Sequence, residues 1–231
     1  MTIGAVFAEV APVIGIAVPE SVYGSTDENH VALAALANEM AQRIAQAHDW
    51  QVLRRLQTYT GNGDDDAWPL PSDYDRMPVD QDIWSSTINA PMSQVNSANT
   101  WLGDLVRDDV GVSDRWHIVG DELVFNPVLE DGETAQFYFI SNLIVADADS
   151  VTKAAFTVDT DSFRINERLL KLGIIWQWRA YKGVPYAEDM QNYEFALAQR
   201  IGRERGARKF AVGRYRYPRG VRVAYPRPLG Q

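Results

Sequence analysis

The chain has 231 residues, of which 46% are hydrophobic and 11% aromatic, so it can bury a sizeable core and is not a disordered tail. It contains no cysteine, which excludes disulfide frameworks, cysteine-based zinc sites and thiol catalysis. No apolar run approaches the roughly 18 residues of a membrane span. The start of the chain also lacks the basic residues of a secretory signal, so we expect a soluble protein.

The first predicted elements are two helices. A short apolar helix is predicted over residues 3–10, ending before Pro12 because proline breaks helical hydrogen bonding. Apolar residues then recur at three- and four-residue steps over residues 27–49, which predicts a long amphipathic helix. Thr26 or Asp27 is the expected N-cap of this helix, since both side chains can accept from first-turn amides.

The middle of the chain is predicted to be mostly β, because the hydrophobic period changes to two after Trp50. Strands are expected at residues 51–60, 67–70, 116–119, 122–125 and 135–145, with one helix near residues 92–105. Gly120 and Asp121 can form the two-residue turn of a hairpin. The sequence Gly61-Asn62-Gly63 indicates another turn, because glycine and asparagine tolerate positive φ.

Helical periodicity returns in the last part of the chain. Residues 163–182 are apolar on nearly every side, which predicts a buried helix with Asp161 or Ser162 as its N-cap. Gly183 is expected to end this helix, and a second amphipathic helix follows over residues 186–201. The short connection predicts that the two helices form an antiparallel hairpin.

These elements together predict an α+β fold. The long N-terminal helix and the C-terminal hairpin are expected to form a helical bundle from residues 1–50 and 158–205. An antiparallel β domain, residues 51–157, is inserted between them. Residues 206–231 are predicted to form an extended basic arm, here called the C-terminal arm.

The sequence contains no recognisable catalytic motif and no convincing metal-binding motif. His30, His48 and His117 lack the spacing of metal ligands, and no nucleophile elbow, phosphate loop or dinucleotide fingerprint occurs. Residues 64–66 are three consecutive aspartates, which solvation beside a turn explains better than a metal does. Asp159 and Asp161 resemble the start of a calcium loop, but helix capping is the favoured interpretation. The sequence therefore predicts no catalytic residue, no metal and no cofactor.

Charge is divided unevenly along the chain. The net charge is −9, yet residues 200–231 hold ten basic residues against Glu204 alone, a net +9, which leaves −18 for residues 1–199. Arginine dominates this end, and it can bond carboxylates or phosphates in pairs and stack on aromatic rings. We expect the arm to dock on a partner molecule through its basic and aromatic residues. These are Arg208, Phe210, Arg214, Tyr215, Arg216, Tyr217, Arg219, Arg222 and Tyr225.

Besides docking on another protein, the sequence is compatible with two further functions, nucleic-acid binding and carbohydrate binding. The basic arm could bind nucleic acid through phosphate contacts, which would weaken steeply with salt. The β domain could bind carbohydrate, because Trp68 and Trp84 lie in it and exposed indole rings stack on sugars. Packing within a core or an interface is the more common role of large aromatic residues.

Three stretches of the sequence carry a resemblance to a known family. They are the end of the long helix at residues 39–50, the sequence LPSDYDRM at residues 70–77, and ERLLKLGIIWQW at residues 167–178, which runs on to Tyr193. Their order is similar to that of structural proteins of tailed bacteriophages, including head–tail adaptors and the tail tubular protein A type. The resemblance covers about residues 27–205 and includes no catalytic residue.

The resemblance implies a ring of twelve copies at the head–tail junction of the virion. Each copy would dock beneath the portal protein, contact its neighbours and present a surface to the next neck or tail protein. Genome DNA would pass through the channel without sequence-specific binding. The protein would be made in the cytoplasm of the host bacterium and would have no membrane partner.

Overall fold

The structure is a computed structural model, and it describes residues 1–79, 81–107 and 114–204. Its helices are α1 (Ile3–Ile14), α2 (Glu28–Gln46), α3 (Ala98–Arg107), α4 (Glu167–Tyr181) and α5 (Ala187–Glu204). Its strands are β1 (Arg54–Thr60), β2 (Ala67–Pro69), β3 (Tyr74–Arg76), β4 (Trp84–Ser85), β5 (Ala90–Pro91), β6 (Ser93–Gln94), β7 (Arg115–Val119), β8 (Glu122–Asn126), β9 (Thr134–Ser141), β10 (Val145–Ala146), β11 (Thr152–Lys153) and β12 (Ser162–Phe163). The predicted mixed α+β class is confirmed.

The N-terminal helices form where the sequence predicts, although the first is longer than expected. The predicted end before Pro12 is wrong, because α1 runs through this proline to Gly15, whose left-handed φ of 78° ends the helix. In α2 the predicted cap is confirmed, since the Asp27 carboxylate accepts from the amides of Asn29 and His30 at 2.8 and 3.3 Å. Within the described residues, no helix is long and apolar enough to cross a membrane.

The start of α4 corrects the sequence prediction. Residues 162–163 form strand β12, and the helix begins at Glu167 with Asn166 as its N-cap. The Asn166 side chain accepts from the Leu169 amide at 3.0 Å. Neither Asp161 nor Ser162 caps the helix, because both lie several residues before its first turn. At the other end Gly183 adopts a φ of 68°, as expected of a residue that ends a helix.

The strands form three sheets. The largest has the order β1-β9-β4-β5, with β3 also paired to β9, and the second has the order β2-β8-β7-β6. Strands β10, β11 and β12 form a small third sheet. The predicted hairpin of β7 and β8 is confirmed, with Trp116 opposite Phe125. The expected wholly antiparallel pairing is wrong at one place, because β6 runs parallel to β7.

Two other strand predictions and one helix prediction need adjustment. Residues 51–53 form a short 3-10 helix, so β1 begins only at Arg54. The long strand expected at residues 135–145 is divided into β9 and β10, separated by a bend. The helix expected near residues 92–105 is α3, displaced toward the C-terminus.

Strand β9 lies between two hydrophobic cores. Its residue Ile140 belongs to the core formed by α1, α2 and α4, which also buries Phe7 and Trp50 completely. The preceding residue, Phe139, points to the opposite face and belongs to the core between the two larger sheets, together with Phe137. Because successive side chains of β9 point to opposite faces, this strand contributes to both cores and so connects the helices with the sheets. The division of the chain into a bundle, an inserted domain and an arm stays a prediction.

Helix α4 contacts α1, α2 and α5. Its close contact with α2 depends on Gly173, since a Cβ atom there would lie 2.3 Å from the Cγ atom of Met40. The glycine in the LLKLGIIW sequence is thus explained by helix packing, although glycine in a helix interior costs about 1 kcal/mol relative to alanine.

Arg76 connects the largest sheet to the end of α2. Its Nε atom donates to Asp49 Oδ1 at 3.0 Å, and its Nη2 atom donates to the carbonyl oxygens of Ala45 and His48 at 3.2 and 2.9 Å. The last carbonyls of a helix have no partner within the helix. One guanidinium therefore satisfies one of these helix carbonyls, that of Ala45, and also bonds the His48 carbonyl just beyond the helix and an adjacent carboxylate. This contact gives the LPSDYDRM sequence a structural role.

We expect Arg76→Ala to lower the free energy of unfolding by about 2 kcal/mol, because hydrogen bonds with a charged partner contribute roughly 1.5–3 kcal/mol. Arg76→Lys should recover little of this loss, since an ammonium lacks the planar fork that reaches three acceptors. Urea denaturation measures the change. The control is Arg179→Ala, which breaks a single, partly exposed ion pair with Asp189 and should cost less than about 1 kcal/mol. Equal losses for the two alanine variants would contradict the role of Arg76.

Candidate interaction surfaces

All nine residues predicted to dock on partners lie beyond Glu204, outside the described residues. The structure does show where the described residues end before the arm. The carboxylate of Glu204 accepts from the Gln51 amide at 3.1 Å and pairs with Arg200 at 3.2 Å. The described chain therefore ends beside the segment that leads into β1. Glu204, Gln51 and Arg54 line the same cavity of about 510 Å³.

Among the described residues, nothing covers one face of the largest sheet, which is here called the open sheet face. It carries Leu56, Tyr138 and Trp84, whose exposed fractions are 53%, 44% and 52%. Strand register places them together, because Leu56 is opposite Tyr138 and Trp84 is opposite Gln136 on the next pair of strands. The face comprises Leu56, Thr58, Thr60, Trp84, Pro91, Thr134, Gln136 and Tyr138. All of these residues are uncharged.

The open sheet face is bounded at one end by the helices. Arg54 lies opposite Ile140 on this side of the sheet, and Ile140 is fully buried in the helical core. The reverse side of the sheet carries Phe137 and Phe139, both buried in the second core. The reverse side of the sheet is therefore mostly covered, whereas on the open side the helices cover only the first residue pair.

Two acidic turns lie at the far end of the open sheet face. The Gly61 amide donates to the Glu133 carbonyl at 2.7 Å, and the Gly63 amide donates to the Leu129 carbonyl at 3.1 Å. These bonds hold the turn after β1 against the turn before β9. The acidic turns carry the exposed residues Asp64, Asp65, Asp66, Glu130 and Asp131.

The aspartates of residues 64–66 have the structure of a solvated turn. The amides of Asp64 and Asp65 donate to Asn62 Oδ1 at 3.1 and 2.9 Å, so the side chain of Asn62 organises the loop. Among the described residues, no group of three or more acidic or histidine side chains could hold a metal ion. Asp65 instead accepts from the side-chain amide of Asn62 at 2.7 Å.

Asp159 and Asp161 bind loop amides rather than capping α4. Oδ1 of Asp159 accepts from the Val22 amide at 3.1 Å, while Asp161 accepts from Lys153 Nζ at 2.6 Å and from the Thr157 amide at 2.7 Å. Burial of Asp161 favours its neutral form. The bonds from Lys153 and the loop amides outweigh that effect and lower the pKa of this carboxyl.

Shifted tyrosine pKa values also have structural causes. Burial raises the pKa of Tyr59 to about 12, and its hydroxyl donates to the Pro69 carbonyl at 2.6 Å. Burial likewise raises the pKa of Tyr74, whose ring packs 5.9 Å from that of Phe139. Both rings therefore join strands of the β region, in the manner of core residues.

Of the seven tryptophans, all of which are described, only Trp84 is exposed. Trp68, the other residue considered for sugar stacking, packs against Tyr59 with ring centroids 5.6 Å apart. A flat pair of exposed indoles is therefore not formed. Trp84 instead belongs to the open sheet face, which the sequence reasoning missed.

Helix α3 presents a second uncovered apolar surface. Leu102, Leu105 and Val106 are exposed, whereas Trp101 is buried and packs 5.6 Å from the ring of His117. One side of this short helix is thus fixed to β7, and no described residue covers the apolar residues on its other side. Exposed apolar surfaces of this kind are typical of sites that contact other proteins.

The fold and these surfaces define a mixed α+β protein whose distinctive exposed features are apolar faces and segregated charge. A family model described as SU10 adaptor protein matches residues 1–224. Because the match extends over nearly the whole chain, the chain belongs to the SU10 adaptor protein family. No curated protein matches the chain.

Family membership confirms the predicted resemblance to phage head–tail adaptors. The more specific likeness to the tail tubular protein A type stays a prediction. The family is one of structural adaptors and not a class of enzymes, and its members are parts of phage particles.

Proposed function

We propose that this protein is the head–tail adaptor of a tailed phage and forms a ring of twelve copies beneath the portal. The ring extends the DNA channel and presents a surface to the next neck or tail protein. The observation that carries the proposal is the family match over residues 1–224. The protein is made in the cytoplasm of the host bacterium and functions at the head–tail junction of the virion.

The division of charge supports a role around DNA. Residues 1–199 carry a net charge of −18, so a channel lined by this part of the chain repels the phosphates of the genome. Repulsion prevents the DNA from adhering during packaging and ejection. DNA therefore passes through the ring without sequence-specific binding.

The C-terminal arm supplies attachment in this proposal. It carries the basic and aromatic residues predicted from the sequence, which bond carboxylates and pack on apolar surfaces of the portal or of neighbouring copies. The open sheet face and the uncovered side of α3 are the other surfaces available for contacts within the ring or with the neck.

Deletion of residues 206–231 should abolish attachment of the adaptor to portal-bearing heads. Among the described residues, every member of the two cores lies before position 205, so the truncated chain should still fold and keep its circular dichroism spectrum. Sedimentation of heads with the full and truncated proteins measures attachment. Truncated protein that folds and still co-sediments with heads would show that the arm is not the attachment device.

A further inference from the structure

The open sheet face has the properties of a surface that is covered by another segment. It joins Leu56, Tyr138 and Trp84 across three strands, and all of its other residues are uncharged. Exposed apolar residues that cluster on one surface are typical of sites that bind another segment or another protein. On the reverse side of the same sheet, the apolar residues Phe137 and Phe139 are buried in the second core.

The described part of the chain ends close to this face. Glu204 accepts from the Gln51 amide at 3.1 Å, and it lines one cavity with Arg54, the first residue of β1. Because side chains alternate along a strand, Arg54 and Leu56 lie on the same side of the sheet. Glu204, the last described residue, therefore lies on the side of the sheet that is open.

The length of the arm is sufficient to cross the face. Strand β1 has seven residues and spans about 24 Å at roughly 3.4 Å per residue. The 26 residues of the arm could extend to about 85 Å at roughly 3.3 Å per residue. Less than half of the arm is needed to reach the acidic turns at the far end of β1.

The chemistry of the arm complements both parts of the surface. Residues 206–231 contain seven basic residues and no acidic residue. Arginine stacks on the faces of tryptophan and tyrosine, which Trp84 and Tyr138 offer. The acidic turns beyond them provide carboxylates for the remaining cations.

We propose that in the free subunit residues 206–231 fold back across the open sheet face of the same chain and reach the acidic turns. This contact concerns the subunit before assembly and does not depend on the adaptor function. In the free subunit this contact would cover both the apolar sheet face and the basic arm. During assembly the arm would leave this sheet and bind the portal or a neighbouring copy instead.

The absence of cysteine allows a direct test by engineered disulfides in the full chain. Thr58→Cys is placed on the open sheet face and is combined with Val212→Cys in the arm. The control combines Val13→Cys with Val212→Cys. Val13 is exposed and lines a cavity with Lys182 and Val184, which precede α5, so it lies at the opposite end of this helix from Glu204. Gel mobility and mass spectrometry then measure the disulfide within one chain.

The Thr58 pair should close at least about tenfold faster than the Val13 pair in dilute protein, because docking raises the effective concentration of the two thiols. Replacing both Trp84 and Tyr138 with alanine should lower the Thr58 rate toward the control while the circular dichroism spectrum is unchanged. Equal rates for the two pairs would overturn the proposal. A disulfide that joins two chains in preference to one would also overturn it, since the occupant would then be a second copy. Attachment to heads is measured separately and decides only the adaptor function.

Discussion

Gly61→Ala is expected to destabilise the protein by about 3 kcal/mol or more, at the upper end of the cost of overfilling a packed site. A Cβ atom at this position would lie 2.3 Å from the carbonyl oxygen of Glu130 and 2.6 Å from Cβ of Leu129. Both are parts of the facing turn that cannot rotate away. The Gly61 amide also donates to the Glu133 carbonyl, so a shift of the turn would break the contact that joins the two turns.

Chemical denaturation of the variant measures this loss. The matched control is Gly202→Ala, in which nothing lies within 4 Å of the added methyl group. Gly202 is on α5, where alanine is the better helix former by about 1 kcal/mol, so the control should be neutral or stabilising. A Gly61→Ala variant as stable as the native chain would show that the turns can separate without cost.

The parts of the fold that can be predicted from the sequence are those determined by residues close together in the chain. Local signals were sufficient for the hairpin of β7 and β8, because Gly120 and Asp121 fix a two-residue turn between two alternating strands. Periodicity was sufficient for α2, where the Asp27 cap and the apolar stripe lie within one segment. Each of these predictions depended on residues that are close in sequence.

Predictions failed where a distant partner decides the structure. Pro12 stays inside α1 although the local rule ends the helix before it, and residues 162–163 pair with β10 instead of joining α4. Pairing of β6 with β7 in parallel joins segments separated by α3 and leaves no local pattern. The bonds from Arg76 to the end of α2 likewise connect residues about 30 positions apart.

The candidate surfaces also differ in whether the sequence alone reveals them. Charge counting alone identifies the C-terminal arm, because its residues are consecutive. The open sheet face combines residues of β1, β4 and β9, and only strand register brings Leu56, Trp84 and Tyr138 together. One signal was present in the sequence, since Tyr138 is an aromatic residue at an outward position of a strand whose inward positions are already apolar. Alternation predicts a polar residue there when the face meets only water.

Asp161 is a second site at which one substitution should have a large effect. Its side chain is fully buried, and it bonds Lys153 Nζ at 2.6 Å together with the amides of Thr157 and Val158 at 2.7 and 3.1 Å. Its own carbonyl accepts from the Ile3 amide at 2.6 Å, so the same residue fixes the start of α1. The carboxylate thus orders a loop that contacts the first helix.

We expect Asp161→Asn to lower the free energy of unfolding by about 2–3 kcal/mol at neutral pH. This is less than the 3–5 kcal/mol for breaking a fully buried ion pair, because Lys153 is partly exposed and keeps some of its hydration. The control is Asp147→Asn, since Asp147 also accepts from two loop amides but is only partly buried. It should cost less than about 1 kcal/mol.

The pH dependence separates the charge of Asp161 from its shape. Its pKa is lowered in the folded protein, so the unfolded chain binds a proton more readily and the carboxylate stabilises the fold above its ordinary pKa of 3.8. That stabilisation is lost as the pH falls through the lower, folded pKa. The difference between the native chain and Asp161→Asn should therefore be constant from neutral pH down to about pH 5 and should shrink below pH 3.8. Urea denaturation at a series of pH values measures it, and a difference that persists unchanged into strong acid would assign the loss to packing rather than to charge.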